Sequence, residues 1–192
     1  MGLLDGIEPA WGNYDPPSLG WDSNDIVPYS YDGVEFPDGV QEISVPLWNA
    51  LLGQLVPLLP GGLKAGTCWG FKATSTTTGG TLGFHAYGVA LDINAPDNEM
   101  RPDGSDGPHT VPEAAEGIAR SLGMEWGGGW TSPKDYMHFE IHLTPAQVET
   151  VAARLAEGET QAPPVSTEQL TEALRPLIPE IAAEVRRQSE QK

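Results

Sequence analysis

The chain has 192 residues, enough for one domain with a sizeable core and an extension at either end. Its formal charge of −17 excludes recruitment to nucleic acid or anionic lipid by simple attraction, and the lone Cys68 excludes an intramolecular disulfide or a thiolate metal cluster. Hydrophobic residues make up 39% beside 23 Gly and 18 Pro, so a folded centre with long irregular stretches is expected, not a fully disordered chain.

No basic residue precedes Lys64, so the start lacks the positive region of a secretory leader. No apolar run reaches the ~18–20 residues that span a bilayer. If the protein works outside the cytoplasm, something else must carry it there. Residues 1–43 are acidic and dense in Gly, Pro, Asp and Trp. They read as an irregular arm lying over the domain or as an attachment segment, with Trp11, Tyr14 and Trp21 as anchors.

Residues 44–158 read as the folded domain. Pro46 suits a first helical turn, and Leu47, Leu51, Leu52, Leu55, Leu58 and Leu59 recur at helical spacing up to Pro60-Gly61-Gly62. Residues 66–84, rich in Thr and Gly, read as an extended segment and a loop. Val89 to Ile93 reads as a buried strand with Ala90, Asp92 and Asn94 on one face. After a polar loop, "TVPEAAEGIARSLG" reads as a helix capped by Thr110 with Glu113 in a capping box, ended by Gly123.

The clearest strand is Tyr136 to Leu143. Met137, Phe139, Ile141 and Leu143 alternate with Tyr136, His138, Glu140 and His142, so one face is core and the other ionisable. Thr144-Pro145 with Gln147 then opens a helix running to about Glu157. Residues 159–165 are a linker by composition. Residues 166–192 carry Leu170, Leu174, Leu177 and Ile181 at spacings of 4, 3 and 4, a narrow helical seam suited to self-association, a partner or docking on the same chain. Pro176 and Pro179 interrupt it. The expected class is α+β: a small antiparallel sheet flanked by helices, with an irregular amino-terminal arm and a helical carboxyl-terminal tail.

Chemistry concentrates in two stretches, "FHAYGVALDIN" and "SPKDYMHFEIH". His85 and Asp92 are joined through a turn at Gly88, which brings one group before a strand and one within it. Taken alone this pair reads as surface residues, and His138 with Asp135 reads equally as a core histidine and its partner. Together, His85, Asp92 and His138 offer the donor types zinc takes with one position left open, and Asp135 supplies a carboxylate for proton transfer. His142 lies about 13 Å along the strand from His138, at roughly 3.3 Å per residue, too far to share an ion. Glu140 is close enough to His138 to serve as a positioning partner or a substrate contact.

These two stretches, with the Gly127–Trp130 approach, resemble the D-alanyl-D-alanine carboxypeptidase and L-alanyl-D-glutamate endopeptidase family of zinc peptidases. The resemblance covers about residues 45–145. It implies one zinc ion on His85, Asp92 and His138, Asp135 as general base, and a peptidoglycan stem peptide as substrate. Relatives carry an arginine upstream of the first histidine; here only Lys72 stands there, a point charge in place of a bidentate fork. Glu140, Trp130 and Tyr87 are the expected substrate contacts.

The "HAYG" and "DYMHFE" variants look more like the phage endopeptidases than the D-alanine-removing carboxypeptidases. They imply a phage-encoded endolysin or tail-associated lysin, reaching the wall after holin release or from the virion. A virion partner or a second copy would engage the arm or the terminal helix; nucleic acid and membrane are not expected partners. The rival readings are a D-alanyl-D-alanine carboxypeptidase and a non-catalytic assembly protein on the same fold. A retained Asp135 argues against the last, since a scaffold needs no general base.

Overall fold

The computed structural model describes residues 2–158 apart from 77–79, 102, 104 and 106. The linker and terminal helix expected over 159–192 lie outside the described residues. The architecture is α+β, as the strand and helix patterns implied.

The amino-terminal stretch departs from the irregular arm expected of it. Strands β1 (Ile26–Tyr31) and β2 (Val34–Gln41) form an antiparallel hairpin, with Tyr31 opposite Val34. Asp32 and Gly33 make the turn with φ of 49° and 76°, the left-handed pair that a two-residue hairpin requires. The Asp-Gly dipeptide was the available signal, obscured by the acidic Gly/Pro composition around it. The rest of the arm is pinned by specific bonds. Trp21 is buried and donates its indole N–H to Leu143 O at 2.9 Å, and Arg154 reaches the carbonyls of Leu3 and Asp5 at 3.0 Å.

Helix α1 (Val45–Leu55) buries Leu47, Trp48, Leu51, Leu52 and Leu55, the face its periodicity predicts. Each such side chain contributes roughly 1.5–3 kcal/mol of transfer free energy. Pro57 turns the chain into a short 3-10 segment, Val56–Leu58, which leaves Leu58 exposed. The second sheet holds β3 (Ala90–Asp92), β4 (Met124–Trp126) and β5 (His138–Ile141), all antiparallel, in the order β3-β5-β4. Leu91, Phe139 and Trp126 lie opposite one another and enter the core, so the alternate residues are left for the other face.

Helix α2 (Ala114–Ser121) starts later than the capping box at Thr110 predicted. Asn98 Oδ1 accepts from the backbone N–H of Thr110 at 2.7 Å and from its hydroxyl at 3.3 Å, which ties Thr110 to Asn98, and the helix starts with no side-chain cap. Gly123, at φ 75°, follows the helix end as expected. Helix α3 (Pro145–Ala156) has the predicted capping box between Thr144 and Gln147 in full. Cys68 is fully buried, as a small hydrophobe would be. No helix among the described residues is long and apolar enough to cross a membrane.

Gly88 turns the chain between the first candidate ligand and β3 at φ 68°, and a Cβ there would collide with Ile26 and meet Gln41 N at 3.0 Å. Gly61, at φ 79°, faces open space. Gly61→Ala is therefore expected to cost only the left-handed penalty of about 1–2 kcal/mol. Gly88→Ala should cost clearly more, and urea unfolding of the two variants side by side measures the difference.

Candidate metal centre and its cleft

Antiparallel register sets the centre. Asp92 on β3 lies directly opposite His138 on β5, so both side chains rise from the same face one strand apart. His85 arrives from the 3-10 turn Phe84–Tyr87, which Gly88 closes. Its Nδ1 lies 2.7 Å from the carbonyl of Gly70, and that carbonyl can only accept, so Nδ1 carries the proton. Nε2 is left with its lone pair facing inward. At His138 the polarity is reversed: Nε2 donates to Glu140 Oε2 at 3.0 Å, which leaves Nδ1 as the inward lone pair.

The three inward atoms form a nearly equilateral triangle. His85 Nε2 lies 3.2 Å from His138 Nδ1, His138 Nδ1 lies 3.1 Å from Asp92 Oδ1, and His85 Nε2 lies 3.2 Å from Asp92 Oδ1. Zinc–ligand bonds of about 2.0–2.1 Å in a tetrahedron place ligands roughly 3.3 Å apart. Lone pairs converging at this spacing repel one another unless a positive charge, a proton on His138 or a metal ion, sits among them. The donor set therefore fits zinc, and its geometry leaves a fourth corner open.

That corner faces a cleft of about 800 Å³. Asp135 lines it together with His85, Asp92 and His138. The backbone of Asp135 is held by a bond from its N–H to Gly127 O at 3.0 Å. A Cβ on Gly127 would collide with the carbonyl of Asp135, which explains the glycine approach to this segment. Asp135 is 8% exposed, and its Oδ1 has no hydrogen-bond partner among the described residues. Burial pushes its carboxyl up to about 6, with His138 opposing and Asp92 adding to the rise. Asp92 is shifted the other way: burial alone would raise it, but His85 and His138 hold it well below the usual carboxylate range.

Several expected roles change. Glu140 is 3% exposed and both its oxygens are taken, one by His138 and one by His142 Nε2 at 2.8 Å. It positions imidazoles, one of the two roles expected of it, and also lines the cleft. Tyr87 packs against the hydrophobic core and does not line the cleft, because the 3-10 turn that aims His85 inward carries Tyr87 elsewhere. Lys72 is exposed and lines a separate depression shared with His85 and Asp92, while its backbone N–H bonds His85 O at 2.9 Å. It is not placed as a catalytic group of the main cleft.

Trp130 does line the cleft, 5.5 Å from the His138 ring. Tyr14 and Glu125 line it as well. Neither was expected as a site residue. Tyr14 lies far away in sequence, and the only hint for Glu125 was a carboxylate among apolar strand residues. No Lys or Arg lines the cleft among the described residues, whereas Asp92, Glu125, Asp135 and Glu140 all do.

A small antiparallel sheet presents two histidines and one aspartate around an open corner, with a spare carboxylate beside them, a donor set of the kind metallohydrolases use. The comparisons place it more closely: residues 76–141 match the family model described as D-alanyl-D-alanine carboxypeptidase. The chain is also 38% identical over 65 residues to the peptidoglycan L-alanyl-D-glutamate endopeptidase CwlK of Bacillus subtilis (strain 168). That match covers 30% of this chain and 38% of the length of the relative. No solved structure matches. The resemblance to the zinc peptidase family read from the two histidine stretches is thus borne out, and His85, Asp92, Asp135 and His138 all fall within the matched segment.

The raised Asp135 carboxyl has a stability consequence with a definite sign. Its folded value of about 6 exceeds the ordinary 3.8, so the native state binds the proton more tightly and loses stability as pH rises between the two. In metal-free protein at pH 7, Asp135→Asn should raise unfolding stability by about 1–3 kcal/mol. That gain should shrink to nothing below roughly pH 4. Urea titrations at pH 4 and 7 test both limbs.

Proposed function

We propose that the protein is a zinc-dependent peptidoglycan peptidase that hydrolyses an amide bond of the stem peptide. One observation carries the reading: three lone pairs converge at 3.1–3.2 Å beside a buried carboxylate with an unpartnered oxygen. Zinc in such a site supplies a Lewis acid and lowers the pKa of water toward about 7. His85, Asp92 and His138 would hold the ion. Gly70 O and Glu140 fix the two rings in the tautomers that this requires.

Asp135 serves as general base and then general acid. It takes a proton from the attacking water and returns it to the departing amine, a role open to a buried carboxylate with an unpartnered oxygen facing the cleft. Trp130 and Tyr14 offer the peptide two aromatic walls.

The charge of the cleft favours an endopeptidase over a carboxypeptidase. A carboxypeptidase must hold the terminal carboxylate of its substrate, and no Lys or Arg lines this cleft among the described residues to do so. An internal peptide bond makes no such demand. The name of the relative, an L-alanyl-D-glutamate endopeptidase, points to the same bond. The phage setting is part of the proposal on the strength of the "HAYG" and "DYMHFE" variants.

Incubating the protein with purified peptidoglycan and resolving the products by mass spectrometry tests the reading. New L-alanine carboxyl and D-glutamate amino termini are expected, lost with a chelator and restored by zinc. Asp135→Asn should lower turnover by about 10²–10⁴-fold with zinc still bound. Release of D-alanine alone would identify a carboxypeptidase, and no product from the zinc-loaded protein would leave a binding module.

A further inference from the structure

A second group of metal-type donors lies on the same face of the sheet, one row from the first. Glu125 on β4 is directly opposite Glu140 on β5, and His142 follows two residues later. All three residues are buried: 8%, 3% and 0% exposed, respectively. His142 Nε2 lies 2.8 Å from Glu140 Oε1 and 3.0 Å from Glu125 Oε2. The three donor atoms all fall within 4.8 Å of one another.

His142 Nδ1 lies 3.0 Å from the carbonyl of Ala10, which can only accept, so Nδ1 bears a proton, and Nε2 is the ring atom that faces the two carboxylates. This confrontation is tolerable only with a positive species between the groups. Glu125 Oε2 is buried without a hydrogen-bond partner among the described residues and lies 3.0 Å from His142 Nε2. Arg120 offers little relief: its Nη2 is 3.7 Å from Glu125 Oε1, and its Nε is engaged by Glu116. A divalent ion matches the two negative charges of Glu125 and Glu140, and the main cleft, which both residues line, gives it an entry path.

We propose that Glu125, Glu140 and His142 form a second divalent-cation site for zinc or a similar first-row ion, distinct from the centre on His85, Asp92 and His138. Two carboxylate oxygens and one imidazole nitrogen are a donor set that such ions accept. Glu140 joins the two sites, with one oxygen on the second ion and the other accepting from His138 Nε2–H. An ion there ties β4, β5 and the amino-terminal segment at Ala10 together and steadies the ring that serves the first centre. Its competitor is a proton, which would make His142 an imidazolium between two carboxylates.

Zinc stoichiometry of the dialysed full chain, measured by elemental analysis and by calorimetric titration with zinc alone, decides between them without reference to activity. Wild type should hold two equivalents. His85→Ala, with the second cluster intact, should keep one; Glu125→Gln should also keep one; the double variant should hold none. Asp92→Asn replaces His85→Ala should that variant fail to fold. A His85→Ala or Asp92→Asn chain that is folded by circular dichroism and holds no zinc would overturn the second site, as would a Glu125→Gln chain that holds as much as wild type. Failure of the first centre reads differently: wild type would then hold one equivalent that Glu125→Gln removes and His85→Ala does not.

Discussion

The site depends on one constraint, the register between β3 and β5. Setting Asp92 opposite His138 puts an anion and an imidazole side by side on a rigid ladder, at a separation that loops would hold less closely. A slip of one residue would send His138 into the core and Phe139 into the cleft. The alternation of Leu91, Phe139 and Trp126 inward prevents that slip, because those side chains have no other place to be buried. Hydrophobic burial on one face thereby enforces the electrostatic arrangement on the other.

Around that pair the protein spends backbone groups on orientation. Gly70 O selects the tautomer of His85 and Ala10 O that of His142, while Glu140 selects that of His138. Each contact fixes the proton on one ring nitrogen and turns the other inward. The acidic lining of the cleft belongs to the same scheme. Lone pairs and carboxylates crowded into a buried face are unfavourable by themselves, and cations relieve the strain. Asp135 remains outside the triangle as a buried carboxylate with a raised proton affinity, at some cost to the stability of the metal-free fold near neutral pH.

The amino-terminal segment is a working part of this unit. Its hairpin, the Trp21 bond to Leu143 O, and the reciprocal pairing of Ala10 with His142 close it over the end of the sheet. Trp11 and Tyr14 then lie around the His142 ring, and Tyr14 reaches the cleft wall beside Trp130. An acidic Gly- and Pro-rich composition thus conceals a segment that contributes to the site.

Local pattern alone determined the alternation of β5, the apolar face of α1, the capping box of α3 and the donor types at His85, Asp92 and His138. Each of these depends on neighbours a few residues apart, where periodicity and side-chain chemistry speak directly. Tertiary structure decided the rest. It drew Thr110 away from its cap to Asn98, turned Lys72 to solvent and Tyr87 to the core, and brought Glu125, His142, Ala10 and Tyr14 together. Such meetings depend on strand order and on which carbonyl ends beside which ring, and contacts between residues more than a hundred positions apart leave no periodic trace in the chain.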